Sequence, residues 1–182
     1  ATFELVGSQW VKEEVINQET PTSEFFVSTV NIEENGSKSP IPYREPRGAI
    51  RAINRTQQQQ TLQNEQSIAL QVEDLQSGGL KMIKRVLPSG QNFLNYSNLR
   101  MFVHGEGYEN RQDVDLVVRL GNDLVNNYYE DCEPVTPSNP DYTFGRLGQG
   151  GSDNATIEAD AEQVWLYDQN SMNIELTAFN QL

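Results

Sequence analysis

Apolar and polar residues alternate along several short segments of this chain. In residues 67–73, Ile68, Leu70 and Val72 occupy every second position. Successive side chains of a β-strand point to opposite faces, so this pattern predicts strands that bury one face and leave the other in solvent. The same alternation is found in residues 99–104, 114–120 and 172–176, and less regularly in residues 25–32 and 80–87.

This alternation also decides the class of sheet. Strands of a parallel sheet are buried on both faces and read as continuous apolar runs, whereas half-buried antiparallel strands alternate. We therefore predict a mainly β fold, a two-layer antiparallel β-sandwich of the jelly-roll or carbohydrate-module type with long loops. The competing fold is a transmembrane barrel, whose strands need about 9–11 residues. The shorter runs here favour the sandwich.

Three polar segments interrupt the strands: residues 33–48, 56–66 and 134–154. They are rich in Pro, Gly, Asn or Gln, and we predict them to be loops, mobile in part. The 182 residues suit a single sandwich domain spanning 1–182. Because residue 1 is Ala rather than Met, we expect an excised internal segment of a much larger chain. The spacing of Arg47, Arg51 and Arg55 predicts one or two helical turns.

The charge balance excludes some partners. The chain has 26 acidic against 13 basic residues and a net charge of −13, and residues 92–182 hold 15 of the acidic and 4 of the basic side chains. Nucleic-acid binding depends on Lys and Arg, so a nucleic-acid partner is not expected. No apolar run approaches the ~18–20 residues of a membrane helix, so we expect no direct membrane insertion by this segment.

The residues that usually carry catalysis are scarce. His104 is the only histidine and Cys132 the only cysteine. We predict that His104 is a packed, hydrogen-bonded residue, since zinc sites and nucleophilic triads need more than one such group. The carboxylates beside Cys132 oppose formation of its thiolate. The sequence therefore predicts no catalytic residues, no enzyme activity and no cofactor.

Carboxylates leave two alternatives open. Asp113 and Asp115 are weak candidates for calcium ligands, as are Asp153, Asn154 and Asp160, although no twelve-residue calcium loop is present. A pair such as Glu106 and Asp115 could also serve glycoside hydrolysis if the two groups faced each other across a cleft. Scattered acidic residues are more often simply solvated.

Carbohydrate binding is a third alternative. Aromatic side chains can stack on sugars, and the 33 Asn and Gln residues would suit sugar hydroxyls. The candidate platforms are Trp10, Tyr108, Trp165 and Tyr167. The more common arrangement buries such rings in the core and leaves their polar tips outward.

Four ordered stretches carry a family resemblance. They are FVSTVNIEENG at 26–36, with SPIPY at 39–43 and PRG at 46–48; QNEQSIALQV at 63–72; LRMFVHGE at 99–106; and LVVRLGND at 116–123, followed by NYYE at 127–130. Together they resemble an internal region of the SprA (Sov) family over roughly residues 10 to 180. The chain departs from that pattern at Pro46-Arg47-Gly48, where paired prolines are expected, and around residues 81–83.

The resemblance implies a function that the residues alone do not. SprA-type proteins are very large outer-membrane translocons of the type 9 secretion system in gliding and secreting Bacteroidetes. It implies a non-enzymatic soluble domain that contributes to channel architecture and protein export. Expected partners are the rest of the translocon chain, associated secretion proteins and transiting cargo, contacted through the three loops. The expected location is the outer membrane, at the extracellular face rather than the periplasmic one. The alternative function remains a carbohydrate-binding module of a cell-surface protein.

Overall fold

The computed structural model describes residues 10–13, 23–49, 53–54, 61–62, 66–86, 96–123, 126–145 and 154–176. Of these residues, 38% lie in strands and 16% in helices, which confirms the prediction of a mainly β, sandwich-like fold. The strands pair as antiparallel two-stranded ribbons. In chain order the strands are β1 Val11–Glu13, β2 Glu24–Val30, β3 Ile53–Asn54, β4 Thr61–Leu62, β5 Ser67–Glu73, β6 Met82–Lys84, β7 Asn98–Phe102, β8 Asp115–Gly121, β9 Tyr128–Pro134 and β10 Ser171–Glu175.

The chain forms two compact units. Unit 1 comprises Ala1–Val30 and Gln66–Asn92, and unit 2 comprises Asn31–Glu65 and Phe93–Leu182. The prediction of one domain over residues 1–182, like the mobility of the three loops, stays a prediction.

Unit 1 contains the ribbons β1–β6 and β2–β5. The seven paired positions of β2–β5 place Phe25 and Val27 on the same face as Leu70 and Val72. Lys12 donates a hydrogen bond to the carbonyl of Phe25 and lies over its ring. None of the side chains described in this unit is buried.

Unit 2 contains the hydrophobic core. Ribbons β7–β10 and β8–β9 pack apolar side chains against each other, as the alternation of the sequence predicts. The core cluster consists of the buried side chains of Met172, Ile174 and Leu176, with Leu99, Met101, Leu116, Val118 and Leu120 packed against it. A third, short ribbon pairs β3 with β4.

The described residues of unit 2 include three helices: α1 Ile32–Asn35, α2 Asn154–Trp165 and α3 Tyr167–Asn170. Asn31 caps α1, since its Oδ1 accepts a hydrogen bond from the amide of Glu34 at 2.9 Å. Helix α2 begins where the predicted loop 134–154 ends. No helix in the described part of the chain is both long and apolar enough to cross a membrane.

The predicted helical turns around Arg47, Arg51 and Arg55 are wrong. Ile53–Asn54 forms strand β3, which pairs with Thr61–Leu62 inside the predicted loop 56–66. Pairing between β3 and β4 satisfies backbone groups that an isolated helical turn would leave open. Arg51 and Arg55 lie outside the described residues.

Candidate functional site: a polar junction of loops and helix α2

Arg44 is the most buried large side chain of the described structure, at 1% exposure. Its Nη1 donates to the carbonyls of Gly36 at 2.9 Å and Tyr43 at 3.0 Å. Its Nη2 donates to the carbonyl of Gly145 at 2.8 Å and to Asp160 Oδ2 at 3.1 Å, and its Nε donates to the same oxygen at 3.2 Å. All five guanidinium N–H donors therefore have an acceptor.

Asp160 supplies the opposite charge from helix α2. It is 3% exposed, and besides the arginine it accepts the amide of Gly145 at 3.0 Å through Oδ2. The Arg44 guanidinium also lies 5.7 Å from the Phe144 ring centroid. A buried ion pair is stable only when its remaining donors and acceptors are satisfied, as they are here. The pair thereby ties the loop at 36–44, the loop at 144–145 and helix α2 together.

Trp165, the last residue of α2, extends this junction. Its Nε1 donates to the carbonyl of Arg44 at 2.8 Å. Its ring, 5% exposed, makes edge contacts with Tyr43, at 6.0 Å between centroids, and with His104, at 6.3 Å. Buried indole N–H groups need such an acceptor, so the ring and its hydrogen bond together fix the end of the helix.

His104 and Ser138 complete the junction beyond strand β7. His104 Nδ1 lies 2.7 Å from the carbonyl oxygen of Val164 and 3.1 Å from Ser138 Oγ. Ser138 Oγ donates to the same carbonyl at 2.8 Å, and its amide donates to Gly105. This confirms that the histidine is a packed, hydrogen-bonded residue. We call Arg44, Asp160, Trp165, His104 and Ser138 the polar junction.

Glu106 borders the junction and contacts the side chains of His104 and Lys38. Its Oε2 lies 3.5 Å from His104 Nε2, and its Oε1 accepts a hydrogen bond from Lys38. The pKa of Glu106 is lowered to about 2, chiefly by the hydrogen bond with His104 and also by Lys38, while partial burial opposes the shift. A carboxyl group this acidic is ionised at neutral pH and cannot serve as a general acid.

Ser138, His104 and Glu106 have the residue types of a hydrolytic triad, but their geometry does not perform that chemistry. A carbonyl oxygen only accepts, so Nδ1 carries its hydrogen toward Val164 and cannot take a proton from Ser138. Ser138 is also 4% exposed, which closes it to a substrate. What the arrangement does is join segments that are distant in the sequence.

The two carboxylates of the hydrolytic alternative, Glu106 and Asp115, have different surroundings: Glu106 contacts His104 and Lys38. Asp115 begins strand β8 opposite Pro134. A groove of about 230 Å³ between ribbon β8–β9 and strand β10 is lined by neither carboxylate.

The calcium candidates Asp113 and Asp115 lie just before and at the start of β8. Asp113 Oδ2 accepts the amide of Asn110 at 2.8 Å, so this carboxylate closes a turn. The described residues hold no group of three or more His, Cys, Asp or Glu placed for a metal. Of the second candidate set, Asp160 faces Arg44, and Asp153 lies outside the described residues. Calcium binding stays an untested alternative, and the absence of a cofactor stays a prediction.

The aromatic candidates for sugar stacking differ in the exposure of their rings. Trp165 and Tyr167 are buried, at 5% and 4% exposure, and are therefore not platforms. The hydroxyl of the partly buried Tyr108 donates to the carbonyl of Val135. Trp10, at 38%, is the exposed one among the four. Trp165 and Tyr167 therefore follow the more common arrangement, in which the ring is buried in the core.

Cys132 lies in strand β9, exposed and without a disulfide. Desolvation raises the pKa of its thiol, and the carboxylates of Asp115, Glu130, Glu133 and Asp131 raise it further. The predicted opposition of these carboxylates to the thiolate is thereby confirmed.

Sequence reasoning missed the role of Arg44 entirely and considered Asp160 only as a metal ligand. One signal was present: Asp160 shares a helical face with Ala161 and Val164, both buried. A carboxylate at a core-facing position of a helix indicates a buried cationic partner.

The fold and the junction define a class: a mainly β module whose buried polar groups hold its own loops and helix in place. The SprA_N family model, described as a motility related/secretion protein, matches residues 1–182, so the chain belongs to the SprA_N family. This confirms the resemblance on which the functional prediction depends. No curated protein matches the sequence significantly.

Proposed function

We propose that this chain is a non-enzymatic domain of the outer-membrane translocon of the type 9 secretion system and that it contributes to channel architecture and export. The observation that carries the proposal is the match of the secretion family over residues 1–182. It makes the protein secretion- or motility-related and associated with the cell envelope. The channel, the bacterial group and the extracellular face are our proposal.

The polar junction supports an architectural role. Its hydrogen bonds are directed at backbone carbonyls and at Asp160. His104, which lies beside the Ser138 hydroxyl, bonds the Val164 carbonyl through Nδ1. Such a junction fixes the segment that follows strand β2 and the segment that follows strand β9. Segments 33–48 and 134–154, with 56–66, are the surfaces we propose for contact with the rest of the translocon and with passing cargo.

The test replaces residues 1–182 of the full-length translocon protein by a flexible Gly/Ser linker. We expect loss of cargo export or of channel assembly, measured as secreted cargo and as assembled channel in outer-membrane fractions. Arg85→Ala, at an exposed position, is the control and should export normally. Normal export and assembly with the linker would contradict the proposal.

Cys132 provides a test of the membrane face because it is exposed. In a translocon whose other cysteines are replaced, a membrane-impermeant maleimide should label intact cells if the domain lies outside. Labelling at pH 8 or above offsets the raised pKa of the thiol. Reaction only after the outer membrane is permeabilised would place the domain in the periplasm, and Cys132→Ser controls for specificity.

A further inference from the structure

An exposed arginine in unit 2 is held in place by aromatic rings. The Arg47 guanidinium lies 4.2 Å from the Tyr167 ring centroid and 5.9 Å from that of Phe102. The two rings make an edge contact at 4.8 Å. The backbone amide of Arg47 donates to the Tyr167 hydroxyl at 2.8 Å, so both ends of the residue are positioned. Tyr167 itself is buried, which makes it a fixed support.

The outer face of ribbon β7–β10 continues this surface. Met101 and Leu99 face the core, so Phe102 and Arg100 point to the other side. Phe102 is 38% exposed, and Arg100 uses its Nε to bond Asn173 Oδ1 at 3.3 Å. Glu175 is at the far end of this face, across from Asn98. We call Arg47, Arg100, Phe102 and Tyr167 the arginine–aromatic patch.

The two arginines of the patch form none of the ion pairs found among the described residues. Two other described arginines do bond carboxylates: Arg44 bonds Asp160, and Arg119 bonds Glu130 at 2.7 Å. Arg47 makes no ion pair with any described carboxylate, and the Nη groups of Arg100 have no acceptor there. The Arg47 guanidinium, stacked on the Tyr167 ring, therefore keeps its donors available for an acidic group.

We propose that the arginine–aromatic patch docks a peptide segment of a partner protein that carries a carboxylate next to an apolar side chain. A planar guanidinium held on a ring presents its N–H groups as a fixed fork, which matches a carboxylate in two hydrogen bonds. Exposed Phe102 offers the neighbouring apolar contact. The strong negative charge of the chain opposes polyanions such as nucleic acids and anionic lipid surfaces, whereas a segment with one or two carboxylates is attracted locally. The inference does not rest on the proposed export function.

The test uses the 182-residue chain and two blocked peptides, Gly-Glu-Phe-Glu-Gly and Gly-Gln-Phe-Gln-Gly. Binding is followed by the NMR signals of the arginine Nε–Hε groups. The Arg47 signal is assigned from the Arg47→Lys variant, and the signal of Arg100 in the same patch reports binding by the variants that lack Arg47. We expect the Glu peptide to shift the Arg47 signal and the Gln peptide to bind at least about tenfold more weakly, because charge-assisted hydrogen bonds are lost.

The variants distinguish a role of the planar guanidinium from a role of its positive charge alone. Arg47→Ala and Arg47→Lys should each weaken binding about tenfold, whereas Arg85→Ala, which removes an exposed arginine outside the patch, should not. Backbone amide spectra confirm that each variant is folded. Equal binding of the two peptides, or undiminished binding by Arg47→Lys, would overturn the proposal. Inorganic phosphate that binds as tightly as the Glu peptide would reduce the patch to a general anion site and overturn it as well.

Discussion

At the residue scale, the buried pair of Arg44 and Asp160 has the largest expected consequence. Each ion loses its hydration on folding, and the loss is offset only because each finds several partners in the protein. The arginine bonds Gly36, Tyr43 and Gly145 in addition to the aspartate. Removal of one member therefore leaves the other charged, buried and only partly compensated.

We expect Asp160→Ala to lower the free energy of unfolding by about 3–5 kcal/mol, because breaking a buried pair strands a charge. Arg44→Met combined with Asp160→Leu should recover part of this loss, since an apolar pair leaves no buried charge. Urea unfolding followed by Trp165 fluorescence measures both. Arg85→Ala serves as the exposed control. A loss below roughly 1 kcal/mol for Asp160→Ala would mean that the pair is hydrated rather than buried.

Glu106 should make the stability of unit 2 sensitive to acid. Its pKa falls from 4.5 to about 2 on folding, through the hydrogen bond with His104, against partial burial, and then through Lys38. A lowered folded pKa means that the ionised form is favoured in the folded state. Its contribution is full above about pH 4.5 and is lost as the pH falls toward 2.

Thermal unfolding between pH 6 and pH 2 measures this contribution. The wild type should lose more in melting temperature over this range than Glu106→Gln, which has no charge to lose. Glu109→Gln, an exposed neighbour, should follow the wild type. Parallel curves for Glu106→Gln and the wild type would contradict the assignment.

At the scale of elements, the alternating strands were predictable and the others were not. Residues 67–73 form β5 as predicted, and β8 and β10 differ from the predicted 114–120 and 172–176 by a residue at either end. Strand β9 was missed because Glu and Asp occupy both of its faces and its stability comes from pairing with β8. Helix α2 was missed because Asp160 interrupts its apolar face. Arg44, the partner of Asp160, lies 116 positions away in the sequence, so no local pattern shows that the two residues pair.

The hairpin β8–β9 turns at a glycine that has no room for a side chain. A Cβ atom at Gly121 would lie 2.2 Å from the Asn127 carbonyl oxygen and 2.5 Å from Tyr128 Cα. We expect Gly121→Ala to cost about 1–3 kcal/mol, as other overpacked substitutions do, through separation of the first pairs of the hairpin. Faster amide hydrogen exchange in β8 and β9 would report this separation of the strands. Asn126→Ala, at an exposed position of the same turn, should leave the exchange unchanged.

At the scale of the whole molecule, burial is unequal between the two units. Among the described residues, the ten buried hydrophobic side chains all belong to unit 2, and none of the side chains in unit 1 is buried. Ribbons β2–β5 and β8–β9 each have seven residue pairs, so the two ribbons are equally long. They differ in that Leu116, Val118 and Leu120 of β8 pack on a core, whereas Ile68 and Leu70 of β5 are 41% and 44% exposed.

This difference predicts separate opening of the two units. A fully buried large apolar side chain contributes about 1.5–3 kcal/mol, so native-state hydrogen exchange should give a lower opening free energy for β2–β5 than for β8–β9, by roughly 1.5 kcal/mol or more. Ile174→Ala should reduce protection in β7–β10 and β8–β9 by about 2–5 kcal/mol, while Ile68→Ala should change it little. If Ile174→Ala lowered the protection of β2–β5 equally, the two units would unfold as one. In that case the larger core, rather than local burial, would set the stability of the exposed ribbon.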